Sequence, residues 1–216
     1  MSEPIRVFVV EDQPEVLAAQ VRLLETSPAV ELVGTACSGE EAVEKAPPAH
    51  PQVVLCDLGL PGIDGIEVTR RLRRTTPRPE ILVLTVFEEE ERVLAAIRAG
   101  AAGYLLKGAS LPRVIEGIQD VHAGGTVIQP SLARVLLRHF GSPEQIDPPA
   151  PAALTPRERE ILQIIGKGLS NREAAEVLGC SRATVRTHLE HIYEKLEVTN
   201  RVEAVAEGLR HGIIHG

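Results

Sequence analysis

The sequence predicts a chain in two folded parts, a doubly wound parallel α/β sheet of five strands followed by a small all-α domain of four helices. Three observations carry this reading. Up to about residue 125, short apolar runs alternate with amphipathic stretches at helical spacing, the pattern of a parallel sheet with helices on its faces. The stretch from Gly141 to Pro151 holds four prolines and little apolar content, so it reads as a semi-rigid linker. Beyond it, capping signals recur at close spacing in Thr155-Pro156-Arg157-Glu158, in Ser170-Asn171-Arg172-Glu173, and at Ser181 and Asn200.

In chain order, the first strand is the apolar run Ile5–Val10, closed by Glu11-Asp12, and a helix follows over about 14–26. The second strand, Val30–Thr35, leads to a helix over 38–46 that opens with the capping box Ser38…Glu41. Val53–Cys56 is the third strand, and its helix over 64–75 carries the wet basic run Arg70-Arg71-Leu72-Arg73-Arg74. Ile81–Thr85 is the fourth. Its helix, over 88–99, begins with Glu88 to Glu91, acidic residues that favour a helix N-terminus through the dipole. Gly103–Leu106 is the fifth strand, followed by a helix over 110–123. Five such units fit a flavodoxin-like doubly wound fold. A further helix follows Pro130 over 130–140, and the last four helices fall at 156–167, 171–178, 182–196 and 201–211. The domains are therefore drawn at 1–125, a connecting segment at 126–153, and 154–216.

Composition narrows the class. Hydrophobic residues make up 44% and charged residues 25%, the balance of a soluble globular protein. Aromatics are 2% and Trp is absent, so the cores must be built from Val, Leu, Ile and Ala. No segment approaches the ~20 apolar residues needed to span a bilayer. The apolar run near the N-terminus is too short for a signal-peptide core and lacks a basic leader. Three scattered cysteines, Cys37, Cys56 and Cys180, read as reduced cytoplasmic thiols. Net charge is −7, which argues against nucleic acid until the chain is divided. Residues 152–216 hold nine basic and nine acidic side chains, so the whole excess belongs to the front of the protein.

In a doubly wound sheet, chemistry gathers beyond the carboxyl ends of the strands. Here strand one ends in Glu11-Asp12, strand three in Asp57, strand four in Thr85, and strand five runs through Tyr104 to Lys107. Three carboxylates at one edge repel unless a hard cation shares them, and Mg²⁺, which needs few carboxylates, suits the site. Asp57 would then act as a carboxylate nucleophile forming an acyl phosphate, with Lys107 a point-charge clamp and Thr85 a hydroxyl donor. Taken singly, an acidic pair after a strand is a helix cap and a lone Asp is a turn residue. The meaning lies in all four groups falling at strand ends in one domain.

Val10-Glu11-Asp12, the run from Leu55 to Gly65 around Asp57, Leu84-Thr85 and Gly103-Tyr104-Leu105-Leu106-Lys107 resemble a response-regulator receiver domain. The resemblance implies that Asp57 is the phosphoacceptor and that Asp12 and Asp57 bind Mg²⁺ directly. Glu11 would act through water, and the Gly59 carbonyl would complete the ligands. Thr85 and Tyr104 would form a switch pair in which the aromatic ring follows the hydroxyl. Gly108 stands where many receivers have proline, so no cis peptide is expected there. Gly59 also stands where an aspartyl-phosphate phosphatase needs a second acidic residue, so the chain reads as no enzyme.

Residues 155–205 resemble the NarL/LuxR-type helix-turn-helix, through Leu154–Glu160, Gly168–Asn171, Ser181–His188, Ile192–Leu196 and Asn200–Val205. Val185, Leu189, Ile192 and Leu196 form one apolar stripe, and Ala183, Thr187, Glu190, His191 and Glu194 lie opposite, flanked by Arg182 and Arg186. A helix of this kind can lie in a major groove. Arg182 and Thr184 are assigned to phosphates, Arg186 and Thr187 to base edges, and Glu190 and His191 to the same face. No cysteine or carboxylate set is expected to complete a zinc site around His188 and His191. Val202, Val205, Ala206 and Leu209 offer a stripe for pairing two copies. The implied partners are a sensor histidine kinase, promoter DNA, RNA polymerase and a second copy of the phosphorylated chain, with no membrane. The alternative is a constitutive DNA-binding protein whose receiver serves only for dimerisation.

Overall fold

A computed structural model describes residues 3–87, 89–128 and 154–214, which divide into two compact units. The first holds strands β1 (Ile5–Val10), β2 (Val30–Ala36), β3 (Val53–Cys56), β4 (Glu80–Thr85), β5 (Gly103–Leu106) and β6 (Val127–Ile128). Its helices are α1 (Pro14–Glu25), α2 (Gly39–Ala49), α3 (Gly65–Leu72), α4 (Glu90–Arg98) and α5 (Leu111–His122). The sheet order is β2-β1-β3-β4-β5-β6 and every observed pairing is parallel. The doubly wound expectation holds, with one addition. A sixth, two-residue strand pairs with β5 through Gly103↔Val127 and Tyr104↔Ile128, and is too short to show any period in sequence. The helix expected over 130–140 and the proline-rich linker lie outside the described residues.

Alternation along the strands sends side chains to two faces. Val7, Val9, Leu55, Leu82 and Leu105 pack with Leu24, Val114, Ile118 and Val121 of α1 and α5. Phe8, Val10, Val54, Cys56 and Ile81 pack with Ala42, Ala46, Val68 and Leu72 of α2 and α3. Both cores are mainly aliphatic, as the scarcity of aromatics requires. α2 runs past its expected end through Pro47 and Pro48 to Ala49, since prolines in a last turn forfeit only its final N–H bonds.

The register sets the site. Val10 pairs with Cys56 and Thr85 with Leu106, so the next residues, Glu11, Asp57 and Lys107, emerge at one sheet edge. Backbone bonds continue the ladder past the strands: Asp57 N donates to Val10 O at 3.0 Å and Lys107 N to Thr85 O at 2.7 Å. At the N-terminus of α3, capped by Asp64, a Cβ on Gly65 would lie 2.0 Å from the Asp57 carbonyl oxygen. The helix start thus packs directly on the backbone that presents Asp57.

The second unit comprises α6 (Pro156–Gly166), α7 (Asn171–Leu178), α8 (Arg182–Lys195) and α9 (Arg201–Arg210). Thr155 with Glu158 and Ser170 with Glu173 form the expected capping boxes, and Gly179 closes α7 in the left-handed region at φ 62°. Val185, Leu189, Ile192 and Leu196 face a core with Ile161, Leu162, Ile165, Ala174 and Ala204. Arg201 is buried, donating to the carbonyls of Ile165 (2.9 Å) and Leu169 and to Asn171 Oδ1 (3.4 Å), so it ties the end of α6 to the start of α7. Among the described residues no helix is long and apolar enough to cross a membrane.

Two consequences are testable. Gly65→Ala should lower the stability of the first unit by about 1–3 kcal/mol, because the new methyl meets backbone rather than a flexible side chain. An unchanged thermal transition would refute that close approach. Glu158 accepts from Lys195 Nζ at 2.9 and 2.7 Å and from Thr155 N at 2.7 Å. Burial pushes its pKa up, but Lys195 and the Thr155 bonds outweigh burial and hold it below the usual carboxylate value. A lowered folded-state pKa contributes stability above the unfolded value of about 4.3 that is lost as pH falls through the folded value. Glu158→Gln keeps the capping geometry but not the charge. Amide exchange in α8 should therefore show a deficit of about 1–2 kcal/mol near neutral pH that closes on acidification below about pH 4. A deficit independent of pH would show that the ion pair contributes nothing.

Candidate functional site

Glu11 follows β1 and is wholly buried, while Asp57 follows β3 and is 5% exposed. Lys107, past the end of β5, bridges them. Its Nζ donates to Asp57 Oδ2 at 2.8 Å and to Glu11 Oε1 at 2.9 Å. Asp57 Oδ1 accepts from the Leu58 amide at 2.7 Å, which fixes that carboxylate's other oxygen. Asp12 completes the group: one carboxylate oxygen each from Glu11, Asp12 and Asp57 lies within 4.8 Å of the others.

Burial pushes the Glu11 carboxyl up, and the Asp57 charge adds to this, so that Lys107 only partly offsets them. For Lys107, burial disfavours the charge, but hydrogen bonds to Asp57 and Glu11 outweigh it and raise the pKa. The ammonium is therefore held charged among more negative groups than it can neutralise. Three oxygen donors with an uncompensated charge are the ligand chemistry of a small hard cation, and Mg²⁺ fits this set.

Thr85, the last residue of β4, is buried with a hydroxyl that has no hydrogen-bond partner. Tyr104 is wholly buried and its hydroxyl donates to the Phe87 carbonyl at 2.9 Å, so in this conformation it is tied to the loop after β4. Gly108 has φ 99°, backbone that proline cannot adopt, and the Lys107–Gly108 peptide is not cis.

Phe87 was not apparent from sequence. A Cβ on Gly59 would lie 3.1 Å from the Phe87 ring and 3.5 Å from Asp57 Oδ2, so the ring fills the space that a glycine leaves beside the aspartate. The Arg92 guanidinium lies over the Phe87 ring, 3.9 Å from its centroid. The only sequence signal was an aromatic two residues past a strand-end threonine, in a chain with three phenylalanines.

On α8, Arg182, Thr184, Arg186, Thr187, Glu190 and His191 are all exposed, with Thr187, Glu190 and His191 opposite the buried stripe and Arg182 and Arg186 flanking that face. Thr184 also shares a hydrogen bond with the Ser181 hydroxyl at 2.8 Å, at the helix cap. Arg186 Nε lies 3.4 Å from Glu190 Oε1, an exposed pair one turn apart. Partial burial pushes the Arg182 pKa down, and the nearby charges of Arg186 and Arg172 add to it. Arg172, at the start of α7, thus joins a basic group that the reading of α8 alone does not include. Contrary to expectation, a carboxylate does approach the histidines: ligand atoms of Glu158, His188 and His191 lie within 4.8 Å of one another. Sequence could not show it because Glu158 comes from α6. The Lys195 ammonium already occupies both Glu158 oxygens, so that carboxylate has its cation.

Comparison with known proteins is consistent across both units. The response regulator receiver domain model matches residues 7–119, and that of the bacterial regulatory proteins of the luxR family matches residues 152–207. Nitrate/nitrite response regulator NarL of Escherichia coli K12 is 33% identical, covering 94% of each chain. Response regulator GacA of Pseudomonas aeruginosa is 36% identical over 97% of this chain and 98% of its own. Among solved structures, response regulator ChrA of a heme-sensing two-component system is 36% identical, covering 99% of this chain and 100% of that one, with a TM-score of 0.54. The RcsB–DNA complex, at 24% identity and TM-score 0.56 over 96% of this chain and 98% of its own, shares the fold. The chain belongs to the response regulators of two-component systems, with a receiver domain and a LuxR-type DNA-binding domain.

Proposed function

We propose that Asp57 accepts a phosphoryl group from a sensor histidine kinase and that this modification controls sequence-specific binding of promoter DNA by α8. In this reading the receiver spans 1–125, the connecting segment 126–153 and the DNA-binding domain 154–216. The observation that carries it is the Lys107 ammonium held at 2.8 Å from Asp57 Oδ2 in a buried cluster of carboxylates.

The Asp57 carboxylate attacks phosphorus, the P–N bond to the kinase imidazole breaks with its electron pair leaving on nitrogen, and an acyl phosphate remains on Asp57. Glu11, Asp12, Asp57 and the Gly59 carbonyl would hold Mg²⁺, which when bound offsets charge on the phosphoryl oxygens. Lys107 is placed to follow a phosphoryl oxygen as a point charge. The Thr85 hydroxyl, without an acceptor in this conformation, gains one by turning to the same group. Tyr104 must then give up its bond to the Phe87 carbonyl to move, so two arrangements of one loop compete and phosphorylation biases the choice.

In the output domain, Arg182 and Thr184 are assigned to the DNA backbone, where Arg172 adds to the local positive charge, and Arg186 and Thr187 are assigned to base edges. The domain is balanced in charge, so pairing of two copies strengthens binding. Leu209, 45% exposed on α9, supports a contact there, whereas Val205 is half-buried against the domain's own core. RNA polymerase and a cytoplasmic location complete the reading.

Intact mass after incubation with acetyl phosphate and Mg²⁺ should show one added phosphoryl group on the wild type and none on Asp57→Asn. Equal gain by both proteins would remove Asp57 from its role. DNA affinity unchanged by phosphorylation would favour the constitutive reading. Glu190→Gln should free Arg186 from its ion pair, remove an acidic group from the DNA-facing side and tighten DNA binding several-fold at low salt. Equal affinity for the two proteins would place this face of α8 away from the DNA.

A further inference from the structure

Gln20 is a polar side chain in the middle of α1, on the helix side that otherwise gives Leu17 and Leu24 to the core beneath the sheet. It is 8% exposed, its Nε2 donates to Glu11 Oε2 at 3.1 Å, and its Oε1 is buried with no hydrogen-bond partner. A leucine here would leave no orphaned carbonyl, so the residue is unfavourable for the core taken alone. What it supplies is a donor to a carboxylate that has no access to water.

The remaining bonds of Glu11 show why that donor matters. Oε1 takes Lys107 Nζ at 2.9 Å and the Gln13 amide at 3.4 Å, and Oε2 lies 2.7 Å from the same ammonium. Lys107 is shared with Asp57, and under the proposed function it turns toward a phosphoryl group there. Of its hydrogen bonds from the protein, Glu11 would then keep the long Gln13 bond and Gln20. We infer that Gln20 is a positioning residue for the cation site: it holds Glu11 from the α1 side, so that this carboxylate keeps its place when Lys107 is drawn to Asp57. The inference rests on the proposed cation-dependent phosphoacceptor reading of the site. Partners that orient metal-binding groups typically change metal affinity by about tenfold or more when removed.

The test is Mn²⁺ binding to the full chain, followed by the paramagnetic resonance of the free ion, with Mg²⁺ as competitor. Gln20→Leu should weaken Mn²⁺ binding about tenfold, with a thermal midpoint equal to or above that of the wild type because the orphaned carbonyl is gone. Gln20→Met, closer in length and also without the amide, should give the same loss and carries the comparison if the leucine variant does not fold. In a Glu11→Ala background, Gln20→Leu should have no further effect, since its action passes through Glu11. Affinity within twofold of wild type in both Gln20 variants, or an equal loss when Glu11 is already absent, would overturn the inference. If the wild type takes up no Mn²⁺, or Asp57→Ala takes it up as tightly, the cation reading itself fails and the role of Gln20 falls with it.

Discussion

The ammonium of Lys107, held between Asp57 and a fully buried Glu11, is the contact around which the receiver is arranged. Its formation requires four strands to keep register at one edge. β1 and β3 must pair so that Glu11 and Asp57 emerge side by side, and β4 and β5 must pair so that Lys107 follows directly after the last bonded residue. A one-residue slip in any of these ladders would turn a charged group toward the aliphatic core, where an unpaired charge is strongly unfavourable. The site therefore helps to specify the register that builds it. The close approach of Gly65 to the Asp57 backbone adds a rigid wall behind the aspartate.

That arrangement holds more negative than positive charge, and it leaves a hydroxyl at Thr85 without an acceptor. Both features are unfavourable for an isolated fold and favourable for one that receives a cation and an anionic group. Of the buried polar atoms without a partner among the described residues, Thr85 Oγ1 lies at this site and Gln20 Oε1 beside it, and local rules of good packing are expected to give way where a site is functional.

The output domain solves a different problem with fewer residues. Caps at Thr155, Ser170, Ser181 and Asn200 fix four short helices, and the buried guanidinium of Arg201 joins carbonyls at the end of α6 and in the following loop. With the core secured along one stripe of α8, the opposite face carries no structural duty. The zero net charge of residues 152–216 conceals a local gathering of Arg172, Arg182 and Arg186, so attraction to an anionic backbone depends on placement rather than on total charge.

The sequence by itself determined the order of the first five strands and of the helices around them, the strand ends that carry Glu11, Asp12, Asp57, Thr85 and Lys107, the capping boxes of α6 and α7 and the buried stripe of α8. Each of these is set by neighbours a few residues apart, through alternation, helical spacing or a cap, and so is written in local pattern. Tertiary structure decided the rest. Phe87 beside Asp57, Gln20 beneath Glu11, Glu158 beside His188 and His191, and the short strand β6 all join separate elements of the fold. Nothing in their own surroundings marks these pairings: a glutamine in a helix or a phenylalanine in a loop has no periodic signature. Their partners are fixed only when the sheet register and helix packing bring those segments within a few ångströms.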